Sequence, residues 1–113
     1  MEIIARREGK VTVITLSGHL DVTTTAQTTE AFNQHLRDGQ TQLVVDLSQL
    51  TYISSAGLRV LLAAAKEARR QNGDLRLAAI QTEEVTKVMR MSGFSNILKN
   101  FPDLPAAIAS FTA

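Results

Sequence analysis

Apolar residues arrive along this chain in short bursts whose spacing switches between two periods. Ile3, Ile4 and Ala5, then Val11, Val13, Ile14 and Leu16, flank the polar run Glu8-Gly9-Lys10. This pattern predicts two strands joined by a hairpin turn. In the second strand Val11, Val13 and Thr15 alternate with Thr12, Ile14 and Leu16, so both of its faces are expected to be covered. Gly18 is expected to end that strand, with His19-Leu20-Asp21 as a loop. Thr23, Thr24 and Thr25 then offer N-caps for a first helix, and Thr24 with Gln27 matches a capping box. Ala26, Phe32 and Leu36, with Thr29 between them, form its modest apolar stripe, and Asp38-Gly39 stops it. Leu43, Val44, Val45 and Leu47, with Asp46 inside the run, predict a buried central strand.

A second helix follows, with Leu58, Leu61, Leu62, Ala65 and Ala68 inward and Lys66, Glu67, Arg69 and Arg70 on its polar side. Asn72-Gly73 closes it. Leu75, Leu77 and Ala79 alternate with Arg76, and Ile80 follows, giving a fourth strand. Thr82 caps a third helix with Glu83 and Glu84 in its first turn and Val85, Val88 and Met89 inward; Gly93 ends it. A short strand over 98–101 precedes a last helix over 104–110, opened by Pro102-Asp103. This order predicts an α/β fold: a mixed, mostly parallel central sheet of four to five strands flanked by about four helices.

The length, 113 residues, suits one domain over residues 1–113. The absence of cysteine excludes disulfides, thiolate metal sites and cysteine nucleophiles. Twelve Lys and Arg against eleven Asp and Glu leave no large net field, so no direct contact with nucleic acid is expected. The N-terminus has no apolar signal core, and the longest apolar stretch, Val60–Ala65, is too short to enter a bilayer as a span. The chain is expected to be cytoplasmic, without membrane insertion. No glycine-rich phosphate loop of the strand–GxxxxGK[ST]–helix type is present. His19 and Asp21 stand at strand spacing without a third group, and His35 has no ligand partner at metal spacing. No cofactor, metal or enzymatic activity is therefore expected.

The chain is organised around Asp46–Ala65, DLSQLTYISSAGLRVLLAAA. A strand, a short polar turn and a helix start follow one another there. The first turn of a helix leaves backbone N–H groups unpaired and carries partial positive charge, which favours an anion. Ser55 is expected at the N-cap, where its hydroxyl can accept from a helix N–H; the same hydroxyl can carry a phosphate. Ala56 and Gly57 are small enough either to let the helix approach the sheet or to leave Ser55 open to another protein. Leu58 reads as core. Arg59 points away from the apolar stripe, into solvent or onto the rim of a partner. Asp21 can turn the chain into the first helix as a capping residue.

Three motifs resemble the STAS domain family, specifically the single-domain anti-sigma factor antagonists of bacteria. Leu16–Asp21, LSGHLD, looks like the family's strand-end motif. Asp46–Leu62, DLSQLTYISSAGLRVLL, looks like its strand–turn–helix segment, and Met91–Phe94, MSGF, is a weaker echo. The resemblance implies a non-enzymatic partner switch. The unmodified antagonist binds an anti-sigma factor that is also a serine kinase, the kinase uses ATP to phosphorylate the antagonist, and a serine phosphatase resets it. By that resemblance the phosphoacceptor is the hydroxyl residue two positions before the glycine, Ser55 before Gly57. The resemblance also implies a second role for Asp21, in a loop beside the Ser55 turn, and Asp21, Ser54, Ala56, Gly57 and Arg59 are the expected partner-binding residues. Many members carry Asp where this chain has Ser54, which removes a charge and adds a second candidate hydroxyl. The alternative, also within the family, is an accessory subunit of a membrane transport complex that acts by protein binding only.

Overall fold

The computed structural model describes residues 1–112. Five strands form one sheet in the order β1-β2-β3-β4-β5. β1 (Glu2–Glu8) is antiparallel to β2 (Val11–Leu20), to which a tight turn joins it. β2, β3 (Gln42–Ile53), β4 (Asp74–Ala78) and β5 (Asn100–Phe101) are parallel neighbours. Parallel neighbours cannot be joined by a hairpin and need crossovers. α1 (Thr25–Arg37), α2 (Ser55–Arg70) and α3 (Glu83–Met91) supply them, and α4 (Leu104–Ala109) follows β5. The expected mixed, mostly parallel sheet with four helices is what forms.

The strand alternation sorts side chains onto two faces. Ile14 and Leu16 of β2, Leu43, Val45 and Leu47 of β3, and Leu75 and Leu77 of β4 meet Phe32 and Leu36 of α1, Leu58, Leu61 and Ala65 of α2, and Val85 and Met89 of α3. On the other face Val11, Val13, Val44 and Ala78 pack under α4 with Leu104, Ala107 and Ile108. Covering both faces makes β2 and β3 the centre of the molecule, and each large aliphatic side chain buried there contributes roughly 1.5–3 kcal/mol.

Several boundaries differ from the periodicity. β2 does not stop at Gly18 but runs to Leu20, so His19-Leu20 is strand rather than loop. β3 does not stop near Leu47 but continues to Ile53. The register explains the miss. Thr15 faces Asp46 but Ser17 faces Gln49, and Gly18 faces Leu50 but His19 faces Tyr52. β3 thus carries an extra residue twice, and each bulge breaks the alternation by which a strand is read. At the first, the buried Asp46 carboxylate accepts from Thr15 Oγ1 (3.1 Å) and from the Ser48 N–H (2.9 Å). At the second, Gly18 has φ +104°, and Thr51 Oγ1 donates to its carbonyl at 3.2 Å. A side chain there would find room but not a comfortable backbone.

In α1 the capping box does not form. Thr24 has helical backbone angles and no side-chain cap bond, and Gln27 Nε2 donates instead to the Met1 carbonyl. The buried stripe is Thr28, Phe32 and Leu36, with Ala26 and Thr29 exposed. Thr28 is accommodated because its hydroxyl donates to the Thr24 carbonyl at 2.9 Å. β4 ends at Ala78, because Ala79 turns left-handed (φ +63°) to donate its N–H to the Phe101 carbonyl. The last strand is Asn100–Phe101 rather than 98–101, preceded by a 3-10 turn over Phe94–Asn96, and α4 stops at Ala109 with Ser110 as its C-cap.

A charged clasp ties the far end of these elements together. Asp74, 8% exposed, accepts from Arg69 Nε at 2.7 Å and from Arg76 Nε at 3.0 Å. Arg69 also donates to the Ile97 carbonyl, and Arg76 to Ser110 Oγ while lying 4.0 Å over the Phe111 ring. Burial pushes the Asp74 carboxyl up, but the hydrogen bonds from Arg69 and then Arg76 outweigh it and hold it below the usual carboxylate range. Its folded pKa is therefore below its unfolded one. The stabilisation is present above the unfolded value of about 4 and is lost as pH falls through the folded value. Asp74→Ala is expected to lower stability by about 2 kcal/mol at neutral pH. In urea titrations the gap between parent and variant should close as pH falls below about 4; a gap constant with pH contradicts this role.

Candidate functional site

The carboxyl ends of β2 and β3 lie side by side, and α2 starts directly from β3. Crevices outside the carboxyl ends of parallel strands are where α/β sheets place their functional groups. Leu20 pairs with Ile53 at the last register position. The Leu20 carbonyl then accepts the N–H of Ser54 at 2.9 Å. This bond fixes the first residue after β3 to the end of β2.

Ser54, not Ser55, is the N-cap. Its backbone is extended (φ −95°, ψ 170°), its Oγ accepts the Gly57 N–H at 3.1 Å, and its carbonyl accepts the Leu58 N–H at 3.0 Å. The Ser54 hydroxyl is half-buried and occupied. Ser55 is the first helical residue and is exposed, and among the described residues its hydroxyl makes no hydrogen bond. The expectation that Ser55 caps α2 is thus corrected by one position. Both residues are legal caps, and the pattern of side chains alone does not say where extended backbone gives way to helix.

Gly57 is required by space rather than by dihedral. A Cβ on it would stand 2.6 Å from the Leu20 carbonyl oxygen, 2.8 Å from Leu20 Cγ and 3.1 Å from Ile53 Cγ1. Leu58 is buried, as expected of a core residue, while Ala56 is half-buried and Arg59 is exposed one turn beyond Ser55. Ser55 and Arg59 are four residues apart and so share a face of α2.

Asp21 lies next to this turn through its neighbour Leu20, but its carboxylate serves its own loop. Oδ1 accepts from the Thr23 N–H at 2.9 Å and from Thr23 Oγ1 at 2.6 Å. These bonds, helped by the charge of His19, hold the carboxyl below its ordinary range. Thr24 Oγ1 closes the loop by accepting the Asp21 N–H and donating to the His19 carbonyl. Of the two roles open to Asp21, the bonds are those of a residue that turns the chain into α1.

Sequence reasoning missed two neighbours. Val22, in the Asp21 loop, is 75% exposed; Tyr52, beside the turn, is 42% exposed and meets His19 edge-on at 5.8 Å. The bulge before Tyr52 turns it outward, which no alternation announces. Val22 carried the better signal, as an isolated apolar residue between an aspartate and three threonines. Among the described residues no three His, Cys, Asp or Glu side chains are placed to hold a metal, and no helix is long and apolar enough to cross a membrane.

A mixed sheet with three crossover helices on one face, and a serine pair opening the middle one, defines the class of α/β domain to which the chain is to be compared. The chain belongs to the STAS domain family, which it matches over residues 2–107. It is 42% identical over 73 residues to BtrV of Bordetella bronchiseptica, a protein named for anti-sigma factor antagonism. That match takes in 65% of this chain and 62% of BtrV, so the chain spans less than two thirds of that relative. Among solved structures it resembles an anti-sigma factor antagonist from Mycobacterium paratuberculosis (TM-score 0.90, 21% identity, 99% of this chain and 94% of that one). It also resembles SpoIIAA of Bacillus in its phosphorylated form (TM-score 0.73, 20% identity, 97% of this chain and 99% of that one). At these identities the structural likenesses show the fold.

Two substitutions test the geometry of the turn. Ser54→Ala should lower stability by about 1 kcal/mol through loss of the cap. Gly57→Ala should cost about 1–3 kcal/mol, because the added methyl must displace a backbone carbonyl. Thermal melts of both check this, and a neutral Gly57→Ala contradicts the close approach.

Proposed function

We propose that this chain is an anti-sigma factor antagonist that works by partner switching. It docks the Ser55 turn, with Asp21, Ser54, Ala56, Gly57 and Arg59 around it, on an anti-sigma factor that is also a serine kinase. The Ser55 oxygen attacks the terminal phosphorus of ATP held by that kinase. A new O–P bond forms, the bond to the bridging oxygen breaks, ADP leaves, and the hydroxyl proton passes to a base of the kinase. The phosphorylated chain then leaves its partner, and a serine phosphatase returns it to the binding form. The chain acts by binding and is not itself an enzyme; its place is the cytoplasm.

One observation carries the choice of residue: Ser55 offers an exposed, uncommitted hydroxyl, while the Ser54 hydroxyl is spent on the cap. The half-buried Ser54 Oγ already holds the Gly57 N–H and is the less accessible of the two to a kinase. Phosphorylating Ser55 adds roughly −1.5 to −2 charges where the helix end tolerates them. Sign reversal on a docking surface expels a partner without unfolding the protein. The family match and the name of BtrV support the antagonist reading.

With the cognate kinase and ATP, peptide mass mapping should place phosphate on Ser55, and Ser55→Ala should abolish it while Ser54→Ala retains it. Phosphate on Ser54, or none with an active kinase, refutes the assignment. Ser55→Asp should keep the circular dichroism of the parent while binding the anti-sigma partner about tenfold or more weakly. Unchanged affinity counts against the switch. Co-purification with a transporter instead of an anti-sigma factor would move the chain to the other branch of its family.

A further inference from the structure

β1 stands at the edge of the sheet, its outer side unpaired among the described residues. A seven-residue strand without proline or bulge presents a row of free N–H and C=O groups to any second strand. Register places Glu2, Ile4, Arg6 and Glu8 opposite Ser17, Thr15, Val13 and Val11. They therefore share the face of the sheet that α4 covers, since Val11 and Val13 pack there. Ile3 lies on the opposite face, against the main core. Ile4 is 56% exposed, a large apolar side chain in the middle of the open edge.

Charges usually forbid edge pairing. Here they select one form of it. Two copies of β1 meeting about a two-fold axis must be antiparallel, and only residues on the same face can stand opposite each other. The axis must therefore pass beside a single residue. Centred on Ala5, Glu2 would face Glu8; centred on Arg6, the two arginines would face each other. Centred on Ile3, no charges pair. Centred on Ile4, Glu2 of each copy faces Arg6 of the other, Ile3 faces Ala5, and the two Ile4 side chains meet at the axis. We infer that β1 pairs with β1 of a second copy of this chain in the Ile4-centred register, giving a continuous ten-stranded sheet. Arg6 bonds its own Glu8 at 3.2 Å, but both side chains are about half exposed, and such a pair is weak enough to be shared. One strand pair is a small interface, so the dimer is weak and depends on concentration.

The absence of native cysteine gives a clean test. In an otherwise unaltered chain, Ile4→Cys should oxidise to a cross-linked dimer, because facing strand residues lie within disulfide reach. Ala5→Cys, which faces Ile3 rather than itself, should cross-link much less. In sedimentation equilibrium the parent should self-associate at concentrations approaching about 1 mM. Arg6→Glu should weaken this about tenfold or more, and adding Glu2→Arg to Arg6→Glu should restore it. Circular dichroism establishes that each variant is folded. A parent that remains monomeric throughout that range overturns the inference. So does equal cross-linking of the two cysteine variants, a charge swap that fails to rescue, or a β1 edge that pairs only when a different protein is added.

Discussion

The approach of α2 to the Leu20 carbonyl is the constraint from which the site follows. The helix can begin directly from β3 only if its third residue has no side chain, and Gly57 meets that condition. The Ser54 N–H donates to the same carbonyl oxygen, so one backbone group on β2 both anchors the turn and limits what passes over it. Packing supplies the rest. Leu58 and Leu61 are buried in the main core, so α2 cannot roll to expose a different face. The outcome is a hydroxyl held in solvent by a framework that owes nothing to that hydroxyl.

This separation of support from chemistry suits the reversible modification proposed for Ser55. Had Ser55 been the cap, adding phosphate would have set binding against folding. With the cap one residue earlier, a charge on Ser55 meets the favourable end of the helix, and Arg59 lies on the same exposed face one turn along. The Asp21 loop is likewise internally satisfied by Thr23 and Thr24, so none of its bonds depends on Ser55. Val22 and Tyr52 add apolar surface next to these polar groups, a mixture suited to a protein partner.

Much of this was legible before any coordinates. Valine-rich β3, the stripe from Leu58 to Ala68, the cap at Thr82 and the opening of α4 after Pro102-Asp103 read correctly, because each rests on local spacing or on one side-chain bond. What escaped notice depends on partners distant in sequence. The two bulges in β3 exist only against β2, and they carry the strand to Ile53 and turn Tyr52 outward. The clasp around Asp74 joins residues up to thirty-four positions apart in the chain. For the turn that opens α2, the segment was visible and both serines were in view. Which serine capped the helix was decided by the Leu20 carbonyl, a group on another strand.

The most direct test is to install phosphoserine at position 55 during translation and compare the product with the parent by backbone amide NMR and thermal melting. The account predicts shifts confined to the Asp21–Thr24 loop and the Ser54–Arg59 turn, with β2, β3 and the rest of α2 unchanged and the melting temperature essentially preserved. Shifts spreading through the core, or a marked fall in melting temperature, would mean that the hydroxyl is part of the scaffold, and the account would be wrong.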